Sequence, residues 1–180
     1  MTDDIRARMI VFLPRLRRFA FALTRNMDAA DDLVQDTCER ALARLDQWEP
    51  GTKLESWMYR IAQNIWIDRK RSDKIRGAHL DLDEAMGVGG DDGRAITESR
   101  LTLEAVGQGI EKLPQEQQVL VALVCVEGLS YKEAASVLGV PIGTVMSRLS
   151  RARQSLYQHL LADGGLPQSP IQERAHGSRS

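Results

Sequence analysis

With 180 residues the chain is long enough for one domain or two small ones, and its 43% hydrophobic and 27% charged residues are ordinary for a soluble globular protein. The longest apolar run, Val119 to Val126, is too short to cross a bilayer, and the opening MTDDIRARM lacks the apolar segment of a signal peptide, so no membrane insertion and a cytoplasmic location are expected. The net charge of −1 argues against a strongly basic, free-standing nucleic-acid binder, but its distribution is uneven: residues 77–100 hold 2 Lys/Arg against 6 Asp/Glu, whereas residues 1–76 hold 15 against 12.

In chain order, Ile5, Met9, Phe12, Leu13, Leu16, Phe19, Ala20 and Leu23 recur at helical spacing and predict a helix over Ile5–Arg25. Pro14 interrupts that pattern, so a start near Pro14 is the alternative. Asp28 is the expected N-cap of a second helix, Ala29–Gln47, with Asp31 and Asp32 near its positive end. One side of that helix carries Ala30, Leu33, Val34, Thr37, Ala41, Leu42 and Leu45. The other carries Asp32, Gln35, Asp36, Glu39, Arg40 and Arg44, which by composition alone reads as a solvated face. Cys38 and Cys125 each fall within apolar helical patterns and are expected to be reduced, buried thiols rather than a disulfide or metal pair.

After the turn signal Glu49-Pro50-Gly51-Thr52, a third helix is expected from Leu54 to about Ile75. Its Trp57, Tyr59 and Trp66, interleaved with Asn and Arg, fit either core packing or stacking on unpaired bases. Periodicity fails over 77–100, where glycines and acids describe a flexible, self-repelling linker. Helix resumes near Leu101 and runs to Lys112, and Pro114 opens another to Glu127, closed by Gly128. Being apolar nearly all round over Val119–Val126, this helix is expected at the buried centre of a C-terminal domain.

Ser130 and Glu133 form a capping-box pattern, Gly139 supplies a helix stop, and Pro141 stands where the next helix begins. In that last helix Val145, Leu149, Ala152 and Leu156 make one apolar stripe, and Thr144, Ser147, Arg148, Ser150, Arg151, Arg153 and Gln154 face the other way. Two short helices joined by a tight turn, the second presenting Arg, Ser and Thr, are the pattern of a helix-turn-helix DNA reader. With so few basic residues, its affinity for free duplex should be modest, as for a protein that reads DNA within a larger assembly. The Gly/Pro/Ser-rich tail, residues 163–180, reads as disordered.

The fold class is therefore all-α: an N-terminal helical bundle (5–76), a flexible acidic linker (77–100) and a four-helix helix-turn-helix domain (101–162). This combination resembles the extracytoplasmic-function (ECF) group of bacterial RNA polymerase sigma factors of the sigma-70 family. The resemblance is carried by DLVQDTCERAL (Asp32–Leu42), SWMYRIAQNIWIDRKR (Ser56–Arg71), LPQEQQVLVAL (Leu113–Leu123) and the helix-turn-helix, in that order, over about residues 8–160. It implies that Asp32, Gln35, Asp36, Glu39 and Arg40 dock the clamp helices of the largest subunit of core RNA polymerase, not merely solvent. Tyr59, Arg60 and Asn64 would line the pocket for a flipped base of the −10 element, with the loop Pro50–Leu54 closing it and Arg69, Lys70 and Arg71 on the adjacent backbone. Leu54 stands where relatives commonly carry an aromatic. Thr144, Met146, Ser147, Arg148, Ser150 and Arg151 would meet the −35 element of promoter DNA, Arg151 on a phosphate or guanine.

A linker of about 24 residues at ~3.3 Å each reaches roughly 80 Å, which covers the ~55 Å between promoter elements lying more than one and a half duplex turns apart. The implied activity is promoter selection and DNA opening for a specific, stress-related set of genes, without catalysis, cofactor or metal, under control of an anti-sigma factor. A dimeric helix-turn-helix regulator acting alone is the competing reading, and it leaves Ser56–Arg71 without a purpose. An enzyme is disfavoured, since His79, His159 and His176 are scattered and no phosphate-binding Gly loop or paired nucleophile and base is present.

Overall fold

The computed structural model describes residues 2–77 and 98–162, and over these residues every regular element is helical. The N-terminal unit is α1 (Thr2–Thr24), α2 (Met27–Ala43) with a 3₁₀ turn at Leu45–Gln47, and α3 (Leu54–Gly77). The C-terminal unit is α4 (Glu98–Glu111), α5 (Gln115–Val121) widening into a π turn at Ala122–Val126, α6 (Tyr131–Leu138) and α7 (Ile142–Ala162). The acidic linker, apart from its two ends, and the tail lie outside the described residues; helix is already present at Glu98, ahead of the expected 101. No helix among the described residues is long and apolar enough to cross a membrane.

The helical stripes foreseen from spacing become the core. Ile5, Met9, Phe12, Leu16, Phe19, Ala20 and Leu23 of α1 are all buried, against Leu33 and Ala41 of α2 and Leu54, Met58, Ile61 and Ile65 of α3. Helix α1 does not restart at Pro14. The proline is exposed and sits within a continuous helix, because Ile5 and Met9 before it enter the same core as Leu16 and Phe19 after it. The lost backbone hydrogen bond is outweighed by that burial.

The N-cap of α2 is Asn26, not Asp28. Arg25 takes a left-handed conformation (φ 52°), which turns the chain so that the Asn26 carboxamide accepts from the Ala29 N–H at 2.9 Å. Asp28 lies instead in the first turn, favourably near the positive helix end. The thiols also depart from expectation: Cys125 is exposed and Cys38 half-buried. Cys125 falls on the outer side of the π turn, whose inner side is Ala122 and Leu123. The apolar run is thus buried from Val119 to Leu123 and opens outward at Val126, 41% exposed.

The helix-turn-helix forms as its local signals dictate. Ser130 Oγ accepts from the Glu133 N–H at 3.2 Å while the Glu133 carboxylate accepts from the Ser130 N–H at 2.9 Å, which starts α6. Gly139 ends it at φ 65°, a conformation that disfavours any Cβ. Val145, Leu149 and Ala152 then dock α7 on the buried side of the unit.

The two units pack against each other, α1 and α3 meeting the π turn and α6. At one edge the Arg25 guanidinium lies over Gly107, where a Cβ would make that side chain move, and its Nε reaches Glu111 at 3.1 Å. In urea unfolding, Gly139→Ala should lose roughly 1–2 kcal/mol for its left-handed backbone, whereas Gly143→Ala, in α7 with open space around it, should gain up to about 1 kcal/mol.

Candidate nucleic-acid interface

The residues assigned to the −35 element share the outer face of α7, opposite the stripe that docks it. Met146 (53% exposed), Ser147, Ser150 and Arg151 are exposed, and Thr144 and Arg148 are half-buried. Ser147 Oγ donates to the Thr144 carbonyl at 3.1 Å, and Arg148 is oriented by an ion pair with Glu116 of α5 at 3.0 Å. Arg153, further along, reaches the Tyr131 hydroxyl at 3.4 Å and so ties α7 to α6. Arg151 projects from this face with no ion pair among the described residues. This is a preformed surface of hydroxyls and guanidinium on a rigid helix, of the chemistry that reads base edges and phosphates.

Residues assigned to the −10 element are divided by the fold. Asn64, Lys70 and Arg71 are exposed on α3; Lys70 lies 5.9 Å from the centroid of Trp66, and Arg69 is ion-paired with Asp36 of α2. Tyr59 and Trp66, by contrast, are buried at 1% and 2% exposure, so core packing holds for both, and Trp57 is half-buried. The Tyr59 ring meets Phe12 and Phe19 edge-on, with centroids 5.0 and 4.9 Å apart. Arg60 reaches across to the C-terminal unit: its Nε donates to the Val137 carbonyl at 3.1 Å and its Nη2 to the Ser136 carbonyl, satisfying the last turn of α6. Leu54 is fully buried, so it anchors the loop Pro50–Leu54 in the core.

Between the units lies an open cleft of about 870 Å³, lined by Lys53, Trp57, Arg60, Lys132, Glu133 and Ser136 among others. On α2, Asp32, Gln35, Glu39 and Arg40 are exposed and Asp36 is half-buried, with Gln35 Nε2 donating to Glu39 at 3.0 Å. The residues assigned to the polymerase therefore do share one outer surface.

The centre of the contact between units is Glu127, which the sequence pattern did not single out. Its side chain is fully enclosed (0% exposed) and its carboxylate accepts from Arg18 Nε at 2.7 Å and Nη2 at 3.0 Å, Arg15 Nε at 3.3 Å and the Tyr59 hydroxyl at 2.8 Å. Burial, then the hydrogen bond to Glu127, pushes the Tyr59 hydroxyl far above the ordinary phenol range, so it remains a donor at any working pH. The only sequence sign of this role is an acid at the end of an apolar run, a position that reads equally well as a helix end.

Residues 103–156 match the family described as Sigma-70, region 4, and residues 10–63 match the Sigma2 domain of PhyR. The chain is 37% identical over 166 residues to the ECF RNA polymerase sigma factor EcfG of Rhodopseudomonas palustris, covering 91% of this chain and 89% of that protein. It belongs to the ECF sigma factors of the sigma-70 family. These are promoter-specificity subunits for transcription initiation, and the family is not one of catalysts.

Among solved structures, the sigma factor RpoE of Bartonella quintana, in complex with the anti-sigma factor NepR, superposes with a TM-score of 0.68 at 31% identity over 89% of this chain and 98% of that one. CnrH, in complex with the cytosolic domain of CnrY, gives a TM-score of 0.66 at 26% identity over 91% of each chain. The two helical units of this sigma factor are thus the fold of its family.

A second tie between the units has a pH signature. Lys53 Nζ meets the Glu133 carboxylate at 2.6 Å. That hydrogen bond, then those from the Ser130 backbone and hydroxyl, hold Glu133 at about 2, against 4.5 unperturbed. As pH falls the unfolded chain takes up this proton first, so the contribution is whole above 4.5 and is lost down to about 2. The stability difference between wild type and Glu133→Gln, measured by urea unfolding, should be present at neutral pH and close across that window. A difference that persists unchanged in acid would assign it to packing instead of ionisation.

Proposed function

We propose that this sigma factor divides its work between its two helical units. Residues 5–76 bind core RNA polymerase and the −10 element; residues 101–162 bind the −35 element; and the acidic linker between them spans the distance. In this reading Asp32, Gln35, Asp36, Glu39 and Arg40 dock the clamp helices of the largest polymerase subunit. Arg60, Asn64, Arg69, Lys70 and Arg71 hold the −10 strand, together with Tyr59, whose ring is enclosed and whose hydroxyl is its available group. Thr144, Met146, Ser147, Arg148, Ser150 and Arg151 read the −35 duplex. The observation that carries this reading is the outer face of α7: hydroxyls and Arg151 exposed on a docked helix-turn-helix, in a chain whose two halves match sigma-type domains in sequence order.

The protein acts in the cytoplasm and has no catalysis of its own. Because the RpoE and CnrH neighbours are described in complex with NepR and CnrY, we propose a small anti-sigma partner for this chain as well. A sigma factor isolated from unstressed native cells should bring that partner with it, and recovery with core polymerase alone would remove this part of the proposal.

Run-off transcription with purified core polymerase on a library of promoter fragments is the direct test. Initiation from a subset should appear only with this protein and fall about tenfold or more with Arg151→Ala or Asn64→Ala, the scale expected for loss of one good base or phosphate contact. Tight binding to duplex by the protein alone, without initiation, would indicate a stand-alone regulator instead.

A further inference from the structure

The contact between the units has one polarity. Arg15, Arg18, Arg25, Lys53 and Arg60 come from the N-terminal unit, and they meet Glu111, Glu127, Glu133 and the carbonyls closing α6 from the C-terminal unit. Of these cations Arg60 belongs to the set assigned above to the −10 strand, and it meets main-chain carbonyls of the other unit.

We propose that Arg15, Arg18 and the Tyr59 hydroxyl form a cradle for one phosphodiester of the −10 strand, and that Glu127 occupies this cradle as a substitute for that phosphate. The inference rests on the sigma reading given above. Four donors converge on two carboxylate oxygens: Arg18 engages both in a fork, and Arg15 and Tyr59 add to Oε2. Two oxygens sharing a negative charge are also what a phosphodiester presents, and the guanidinium fork suits either anion.

Two of the three cradle groups are held without Glu127. Phe12 and Phe19 hold the Tyr59 ring, and the Arg15 guanidinium rests 5.8 Å from the Phe12 centroid, all within the N-terminal unit. When the C-terminal unit moves to a −35 element, two guanidiniums and a phenol hydroxyl are left facing outward with no anion. Tyr59 directly precedes Arg60 on α3, and Asn64 follows one turn after Arg60, so the cradle adjoins the residues assigned to the −10 strand in the chain. Glu127 draws its side-chain partners from the other unit, so on separation its carboxylate passes to water and leaves no buried charge behind. The exchange is of one anion for another at a fixed site. Tyr59 therefore contributes as a hydroxyl donor to the backbone, not as a platform for a base.

The test uses the holoenzyme with core polymerase on a pre-melted promoter, in which each phosphate of the −10 non-template strand is replaced in turn by a neutral methylphosphonate. One position should weaken wild-type binding about tenfold but Arg15→Gln/Arg18→Gln binding by about twofold at most, since the contact is already missing. Both arginines are about half exposed (side chains 45% and 55%), so their replacement spares the core. Equal losses at every position in both proteins would overturn the cradle and point to an acidic group of a protein partner. In the chain without polymerase, Glu127→Gln should bind the corresponding single-stranded −10 oligonucleotide about tenfold more tightly than wild type, a gain abolished by the arginine replacements. Unchanged affinity would show that Glu127 does not stand in the phosphate's place. Absence of any promoter binding by the holoenzyme would count against the sigma reading itself, separately from the cradle.

Discussion

A carboxylate removed from water is among the costlier things a small protein can bury, and Glu127 is buried completely. It is stabilised there because two guanidiniums and a permanently protonated phenol converge on it from the neighbouring unit. None of those partners is supplied by its own unit, so the enclosure of Glu127 exists only while the two helical units are together. Everything else at the contact is arranged with the same sense of charge, from Arg25 on Glu111 at one edge to Lys53 on Glu133 at the other.

That arrangement is suited to being undone. Exposed ion pairs such as Lys53–Glu133 contribute little individually, and a buried pair is weak evidence of net stability because desolvation offsets most of its attraction. The buried apolar residues form one continuous cluster that runs through both units, from Ile5 of α1 to Ala152 of α7. To that cluster the contact between the units adds the ion pairs on Glu111, Glu127 and Glu133.

The two surfaces proposed to meet DNA stand differently in the compact chain. The outer face of α7 is open, with Arg151 free of ion pairs among the described residues. On α3, Arg60 caps α6 and Tyr59 is sealed beneath Glu127. Asn64, Lys70 and Arg71 of the same helix stay exposed while Tyr59 and Arg60 are engaged by the other unit. On the proposed assignment, full engagement of the −10 element would require the two units to part at Tyr59 and Arg60.

Much of this molecule follows from local rules in the chain. The apolar stripes of α1, α3 and α7, the Ser130–Glu133 capping box and the stop at Gly139 depend on residues within a few positions of each other, and each formed as spacing and backbone chemistry require. The family, and the polar face of α7, were legible for the same reason. What escaped local reading was settled by partners distant in sequence. Pro14 remains inside a helix because the core extends on both sides of it. Asn26 displaces Asp28 as a cap because Arg25 turns the chain. Cys125 faces outward because α1 and α6 pack against the Ala122–Leu123 side of its turn. Tyr59, Arg15 and Arg18 could not be joined to Glu127 from the sequence, since more than sixty positions separate them and charge pairing over such separations leaves no periodic mark. The sequence alone determined which helices form and which family they build; only the tertiary structure decided which charges meet, because that depends on how two finished units come together.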